Sequence, residues 1–390
     1  MSKLWSQGRH GWRLSVATCA VLVGSAALMG APVMASATVM PSLSVSPGAG
    51  PVGSVVTVRF GPAGNGCGGV TFEAAGGGSQ SLPFIGDSGT EAFLLPRVLG
   101  NVRVTPGRYV FSLTCDTTNN PATAITVRVP FTVTTSLPRT IVGIANTADG
   151  KGYWLVASDG GVFSFGDAHF YGSLPSDKIR PAGAIVGIAA THDHKGYWLV
   201  GADGGVFGFG DARFYGSAAS QASTGVPIVG MATTRDAKGY WLAGAELSTF
   251  HLGDAKLLSL NSGNVAQVDQ PTVGIAASLG IPQGYWQVTA DGKIFAYGSA
   301  GSFGSMAGRP LTQAIVGIAT NPATGGYWEV GADGGVFAFH APFLGSTGNL
   351  HLNAPITAIL STTTGHGYRL VASDGGVFDF GDAHFYGSAA

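Results

Sequence analysis

Apolar residues in the last two thirds of this chain come in short runs, cut by breaks rich in Gly and Asp, and the whole succession occurs six times. The runs read I-V-G-I-A, G-Y-W-L-V, D-G-G-V-F-x-F and G-D-A-x-F-Y-G-S. Their copies begin at Ile141, Ile185, Ile228, Thr272, Ile315 and Ile356, at spacings of 44, 43, 44, 43 and 41 residues. Runs this short, bounded by Gly and rich in β-branched and aromatic residues, predict strands. In the copy from Ile141 to Ser173 the first run places Gly143 and Ala145 on the face shared with Ile141, small residues suited to a crowded centre. Tyr153-Trp154-Leu155-Val156 is apolar on both faces, as a strand must be when sheets press on it from two sides. Asp159-Gly160-Gly161 supplies a tight hairpin turn, because Asp and Gly tolerate positive φ. Val162-Phe163-Ser164-Phe165 makes a third strand, and His169-Phe170-Tyr171-Gly172, after the Gly166-Asp167 turn, is expected as a fourth.

A period of this length belongs to propeller blades. Residues 136–390 are therefore expected to form a six-bladed β-propeller of four-stranded blades, closed by face packing between the first and last blades without an exchanged strand. Residues 38–135 alternate apolar and polar positions in about seven short runs, such as Val55-Val56-Thr57-Val58-Arg59-Phe60, separated by Gly and Pro. That pattern predicts an immunoglobulin-like β-sandwich, so the chain as a whole is expected to be all-β. Residues 1–37 read as a signal peptide: Lys3, Arg9 and Arg13 precede or flank the apolar stretch Leu14 to Met29, and Ala35-Ser36-Ala37 offers a cleavage site. Two cysteines then remain, Cys67 and Cys115, and in an exported chain they most simply form one disulfide.

The repeat wording resembles NHL-type and WD40-like propellers in general, and more closely the GYWLV/DGGVF/GDAxFYGS arrays of secreted actinobacterial proteins, over about 250 residues. Leu43-Ser44-Val45-Ser46-Pro47 with Gly50-Pro51-Val52-Gly53-Ser54 resembles the start of IPT/TIG-type immunoglobulin-like domains. The resemblance implies a secreted propeller joined to a spacer or adhesive module; it implies no defined activity. Three copies depart from the pattern. The third has Glu246-Leu247-Ser248 for D-G-G and Leu257-Leu258 for F-Y, the fourth has Gly292-Lys293, and the sixth carries Arg369 where Trp stands elsewhere.

The chain has 390 residues, of which 45% are hydrophobic and only 11% charged, with 63 Gly. Removal of the first 37 residues leaves 17 basic against 21 acidic residues, which disfavours a nucleic-acid backbone as partner. No long apolar run follows the leader, so no membrane insertion is expected after its cleavage. The expected location is secreted and extracellular, with attachment to the cell surface left open.

Repetition argues against most of the candidate chemistry. Trp154, Trp198, Trp241, Trp286 and Trp328 recur at one strand position and read as core, and Asp159, Asp203, Asp291, Asp333 and Asp374 read as hairpin formers. Gly86-Asp87-Ser88-Gly89 has no His between Thr38 and Ser88 to act as its base, and Ala300-Gly301-Ser302-Phe303-Gly304 lacks the first Gly of a nucleophile elbow. No catalytic residue, metal or cofactor is expected. Loops that vary between copies are the better place for recognition, because a rigid scaffold positions them while leaving them free to differ. The loops after I-V-G-I-A collect His192, Asp193, His194, Arg235 and Asp236 on one face, and these are the candidate ligand-binding residues. The expected function is a secreted, non-enzymatic interaction protein of the cell envelope that binds cell-wall glycan or extracellular protein. The alternatives are a polysaccharide-directed hydrolase or lyase with its site at the propeller axis, and a structural spacer in an extracellular layer.

Overall fold

The computed structural model describes strands within Ser42–Thr134 and then residues 139–390, except 220–225 and 262–269. The signal peptide expected at 1–37 lies outside the described residues. Those described form strands, turns and extended segments with no helix, so none is long and apolar enough to cross a membrane.

In the N-terminal part, Ser42–Ser46, Val55–Gly61 and Gly89–Leu94 make one sheet. Ala49–Pro51, Ile125–Thr134, Gly107–Cys115, Cys67–Ala74 and Ser79–Ser81 make a second, in that order. Pairing is antiparallel except for Ala49–Pro51 beside Ile125–Thr134. Alternation buries one side of each strand, with Val56 and Val58 on the first sheet and Val70, Phe72, Phe111 and Phe131 on the second. The rings of Phe72 and Phe111 lie 4.7 Å apart. The register sets Cys67 directly opposite Cys115.

The repeats fold into six three-stranded antiparallel sheets, one per copy. In the first, Ile141–Asn146 pairs with Gly152–Ala157, which pairs with Val162–Gly166. The middle strand is buried along its whole length in every copy. Apolar clusters straddle successive sheets. Trp154 and Val156 pack with Ile185, Tyr197 and Leu199 of the next copy, and the same set recurs along the chain. Ile141, Ile144, Tyr153 and Leu155 of the first copy close on Val371 of the last. One backbone hydrogen bond repeats six times at 2.8 to 2.9 Å: Ile185 N to Ser158 O, Ile228 N to Ala202 O, Thr272 N to Ala245 O, Ile315 N to Ala290 O, Ile356 N to Ala332 O, and Ile141 N to Ser373 O. The sixth joins the last sheet to the first, so the series closes on itself, an arrangement compatible with a β-propeller.

The expected fourth strand is not there: each sheet has three. The G-D-A-x-F-Y-G-S segment is extended but leaves its own sheet and lies across the next. Tyr171 packs between Trp154 of its own copy and Tyr197 of the following one, with ring centroids 6.2 and 5.9 Å away. The Tyr197 hydroxyl donates to Gly172 O at 2.5 Å and accepts from Tyr171 N at 3.3 Å. Burying an aromatic ring against two neighbours, with its backbone satisfied by a buried hydroxyl, outweighs one more edge strand left open to water. The segment is a latch between sheets.

Equivalent tyrosines repeat the latch. Tyr240, Tyr327, Tyr368 and Tyr153 donate to Gly216, Gly304, Gly345 and Gly387 at 2.5 to 2.7 Å. The accepting glycines have φ between 114° and 141°, a conformation open in practice only to Gly. A Cβ there would also strike the next sheet; at Gly172 it would lie 2.8 Å from Phe209. In the last copy Tyr386 and Gly387 latch onto Tyr153 and Phe165 of the first, so closure exchanges no strand.

Candidate functional site

The third copy breaks the latch. Where the others have Tyr-Gly, or a similar pair ending in Gly, it has Leu258-Ser259. Serine resists the positive φ of the latch glycine, so its carbonyl turns away from the Tyr285 hydroxyl and accepts from Gly298 N of the fourth copy at 3.0 Å. Tyr285 bonds instead to Thr249 Oγ1 at 3.3 Å. The chain beyond pairs with the outer strand of the fourth copy, through a bridge between Leu260 and Tyr297 and a bond from Asn261 N to Ala296 O at 2.9 Å. Leu258 is shorter than tyrosine, and the space left above Trp241 is a pocket of about 290 Å³.

Two loops and one turn enclose it. Thr234, Arg235 and Asp236 come from the loop after the inner strand of the third copy, and Pro282 and Gln283 from the corresponding loop of the fourth. Asp254 and Lys256 come from the turn that leads to Leu258. Leu258, Pro282 and the indole of Trp241 give it apolar walls. The acceptors are mostly committed. Thr234 Oγ1 donates to Asp254 Oδ1 at 2.9 Å, Lys238 pairs with Asp236 at 3.2 Å, and Gln283 Oε1 accepts from Arg235 N at 2.6 Å. Burial pushes the Asp236 carboxyl up, but the side-chain and backbone bonds from Lys238 pull it further, leaving it below the usual carboxylate range. Among the described residues no carboxylate pairs with the side chains of Arg235 or Lys256.

Of the residues expected to bind a ligand, Arg235 and Asp236 therefore line one pocket, whereas His192, Asp193 and His194 are not gathered with them. The equivalent loop of the second copy is tied down. His194 takes φ 57° and its Nδ1 lies 2.9 Å from Asn146 O, Asp193 pairs with Lys195 at 3.1 Å, and His192 is exposed. A hydrogen bond with the Asp211 carboxyl, then Lys195, holds Asp193 below the usual range, while burial and Asp193 raise Asp211. The described residues contain no group of three or more His, Cys, Asp or Glu able to hold a metal ion. Sequence reasoning read Trp241 as core and missed Leu258, Pro282 and Gln283; the Leu257-Leu258 departure was the visible signal.

The remaining recurrent residues serve the scaffold. Trp154, Trp198, Trp241 and Trp286 donate their indole N–H to the carbonyl fifteen residues on at 2.7 to 2.8 Å, and Trp328 to Pro342 O at 2.8 Å. Asp159, Asp203, Asp333 and Asp374 each accept from the amide two residues on, as hairpin turns require. The outer rim is different: Phe170, Phe214, Leu257, Phe343 and Phe385, at one position of five copies, are between 46% and 73% exposed.

No family model and no curated protein matches the chain. Among solved structures the chain is similar to a structural genomics protein of unknown function from Bacteroides thetaiotaomicron, at 13% identity and a TM-score of 0.44, over 88% of this chain and 98% of that one.

Proposed function

We propose that the chain is a secreted, non-enzymatic binding protein of the cell envelope, in which a six-bladed β-propeller over 136–390 recognises a ligand through the pocket between its third and fourth blades. The blades are three-stranded, and each but the third is latched to the next. In this reading residues 1–37 are a signal peptide, 38–135 an immunoglobulin-like spacer, and the repeats belong with the GYWLV/DGGVF/GDAxFYGS arrays that they resemble. The observation that carries the reading is the pocket itself. It opens at the seam where the repeat wording is broken, on the face of the variable loops, and its volume suits one sugar ring or a short side chain. Carboxyls with raised pKa, Asp211, Glu329 and Asp379, are scattered over three sheets rather than gathered in one cleft, which favours binding over paired-carboxylate hydrolysis.

The test is retention of the purified chain on cell-wall polysaccharide, peptidoglycan and secreted proteins. Wild type should be retained and the latch-restoring variant Leu258→Tyr/Ser259→Gly lost, whereas a His192, Asp193 and His194 triple-alanine variant should behave as wild type. Equal retention of wild type and the latch-restoring variant removes the pocket from the account. Release of reducing ends would point to a hydrolase, and self-assembly without wall binding to a spacer. The proposal includes a Cys67–Cys115 disulfide, favoured by their opposition in register; both cysteines should escape alkylation until reductant is added.

A further inference from the structure

Resting on the pocket reading above, we infer that the ligand is a carboxylate-bearing pyranose, a hexuronic acid unit, held by Arg235 and Lys256 with its ring against Trp241 and Leu258. The inference follows from which polar groups of the pocket are spent and which are free. Asp236 and Asp254 already accept from Lys238 and Thr234, and the Gln283 carbonyl accepts from Arg235 N. Gln283 Nε2 is directed to Thr233 O at 3.5 Å. What remains are the guanidinium of Arg235 and the ammonium of Lys256, both donors and both cationic, contributed from opposite ends of the third copy. An occupant must therefore bring acceptors and negative charge, and a carboxylate matches the fork of a guanidinium.

The walls set the rest of the ligand. Leu258 and Pro282 supply the aliphatic surface, and Trp241, 3% exposed and with its N–H engaged by Lys256 O, floors the pocket with ring carbon rather than a donor. A pyranose carries such an apolar C–H face, with its hydroxyls at the edge directed to solvent. A volume of about 290 Å³ holds one ring, with the neighbouring sugars of a polymer directed to solvent. At three of the latched seams this space holds the Tyr171, Tyr215 or Tyr386 ring, and at the other two Phe303 or Leu344 is followed by a latch glycine; the third seam alone among the six has lost that glycine, as Ser259.

The experiment is calorimetric titration of the full chain with D-glucuronate and with D-glucose, which differ only in a carboxylate replacing a hydroxymethyl group. The same titrations are run on Arg235→Ala, Lys256→Ala and Leu258→Tyr/Ser259→Gly, and a glucuronate-containing oligosaccharide separates a polymer source from the free sugar. Glucuronate should bind at least about tenfold more tightly than glucose, as a charge-assisted hydrogen bond implies. Each cation variant should remove most of that preference, and the latch-restoring variant should abolish binding with its circular dichroism unchanged. Equal binding of the two sugars, or an Arg235→Ala variant that keeps the preference, overturns the anionic assignment but leaves the pocket as a binding site. Absence of binding to glucuronate and its oligosaccharide, while wall retention stays sensitive to the latch-restoring variant, also overturns it. Retention insensitive to that variant overturns the pocket itself.

Discussion

Two buried charged side chains interrupt the apolar seams, and each behaves as its partners dictate. Glu329 stands where four other copies have leucine, on the middle strand of the fifth; it is fully buried, and neither carboxyl oxygen has a hydrogen-bond partner among the described residues. Burial pushes its pKa from 4.5 up to about 8. The folded state thus keeps the proton up to about 8, while the unfolded chain releases it near 4.5. Its stabilising contribution is complete below pH 4.5 and is lost as pH rises through about 8, at roughly 1.4 kcal/mol per unit at the steepest. Thermal unfolding of wild type should weaken across this window, and Glu329→Gln should flatten the dependence; parallel profiles for the two proteins would refute the assignment. Arg369 is the opposite case. It replaces the repeated tryptophan, and its Nη2 donates to His384 O at 3.0 Å, taking over the indole's bond fifteen residues on. It pairs with Asp379 at 3.1 Å and lies over the Tyr153 ring at 5.1 Å. Asp379 occupies the register position that is Ser164, Gly208, His251, Ala296 or Ala338 opposite the tryptophans, so arginine and aspartate substitute as a pair. Arg369→Ala should cost about 3 to 5 kcal/mol in denaturant unfolding by stranding a buried carboxylate. Arg369→Trp/Asp379→Ala should recover most of it, because it recreates the wording of the fifth copy.

The latch is the element that the repeats share beyond their strands. Its hydroxyl both donates to a glycine carbonyl and accepts from the preceding amide, and in Tyr197 both bonds are short enough to count. Tyr197→Phe leaves a buried carbonyl and amide without partners and should lower stability by about 1 to 3 kcal/mol. Tyr285 faces the unlatched seam and holds a single bond of 3.3 Å, so Tyr285→Phe should cost less than half as much. Urea midpoints of the two variants give the comparison directly, and an equal loss in both would mean that the hydroxyl does not act as a latch. The pocket is the counterpart of this economy: the seam that gives up its latch gains a cavity.

Across the whole molecule, no sheet can hide its own faces. Each middle strand is buried on both sides, and every apolar cluster of the repeat region draws on two successive sheets, including the one that joins the last copy to the first. Deleting the sixth copy would uncover Ile141, Tyr153 and Leu155 on one side and Trp328 and Val330 on the other. Cooperative unfolding should then be lost and a hydrophobic dye bound at neutral pH. Retention of a sharp transition by the five-copy chain would argue that the sheets are stable as an open row.

Much of this was legible in the order of residues. Alternation and run length specify strands, Asp-Gly and Gly-Asp pairs specify their turns, and a period of 41 to 44 residues specifies a series of like sheets, because all of these depend on backbone preferences within a few positions. The departures at Leu257-Leu258 and Arg369 were equally plain as departures. Their consequences were not, since they depend on what lies across the seam. His169 to Gly172 has the composition of a strand, yet it gains more by lying over Tyr197, twenty-five residues further on, than by extending its own sheet. Arg235 and Asp236 acquire a pocket only because Pro282 and Gln283, nearly fifty residues later, wall the space that Leu258 leaves empty. Side-chain burial is a contest among surfaces remote in the chain, and local preference does not register its outcome.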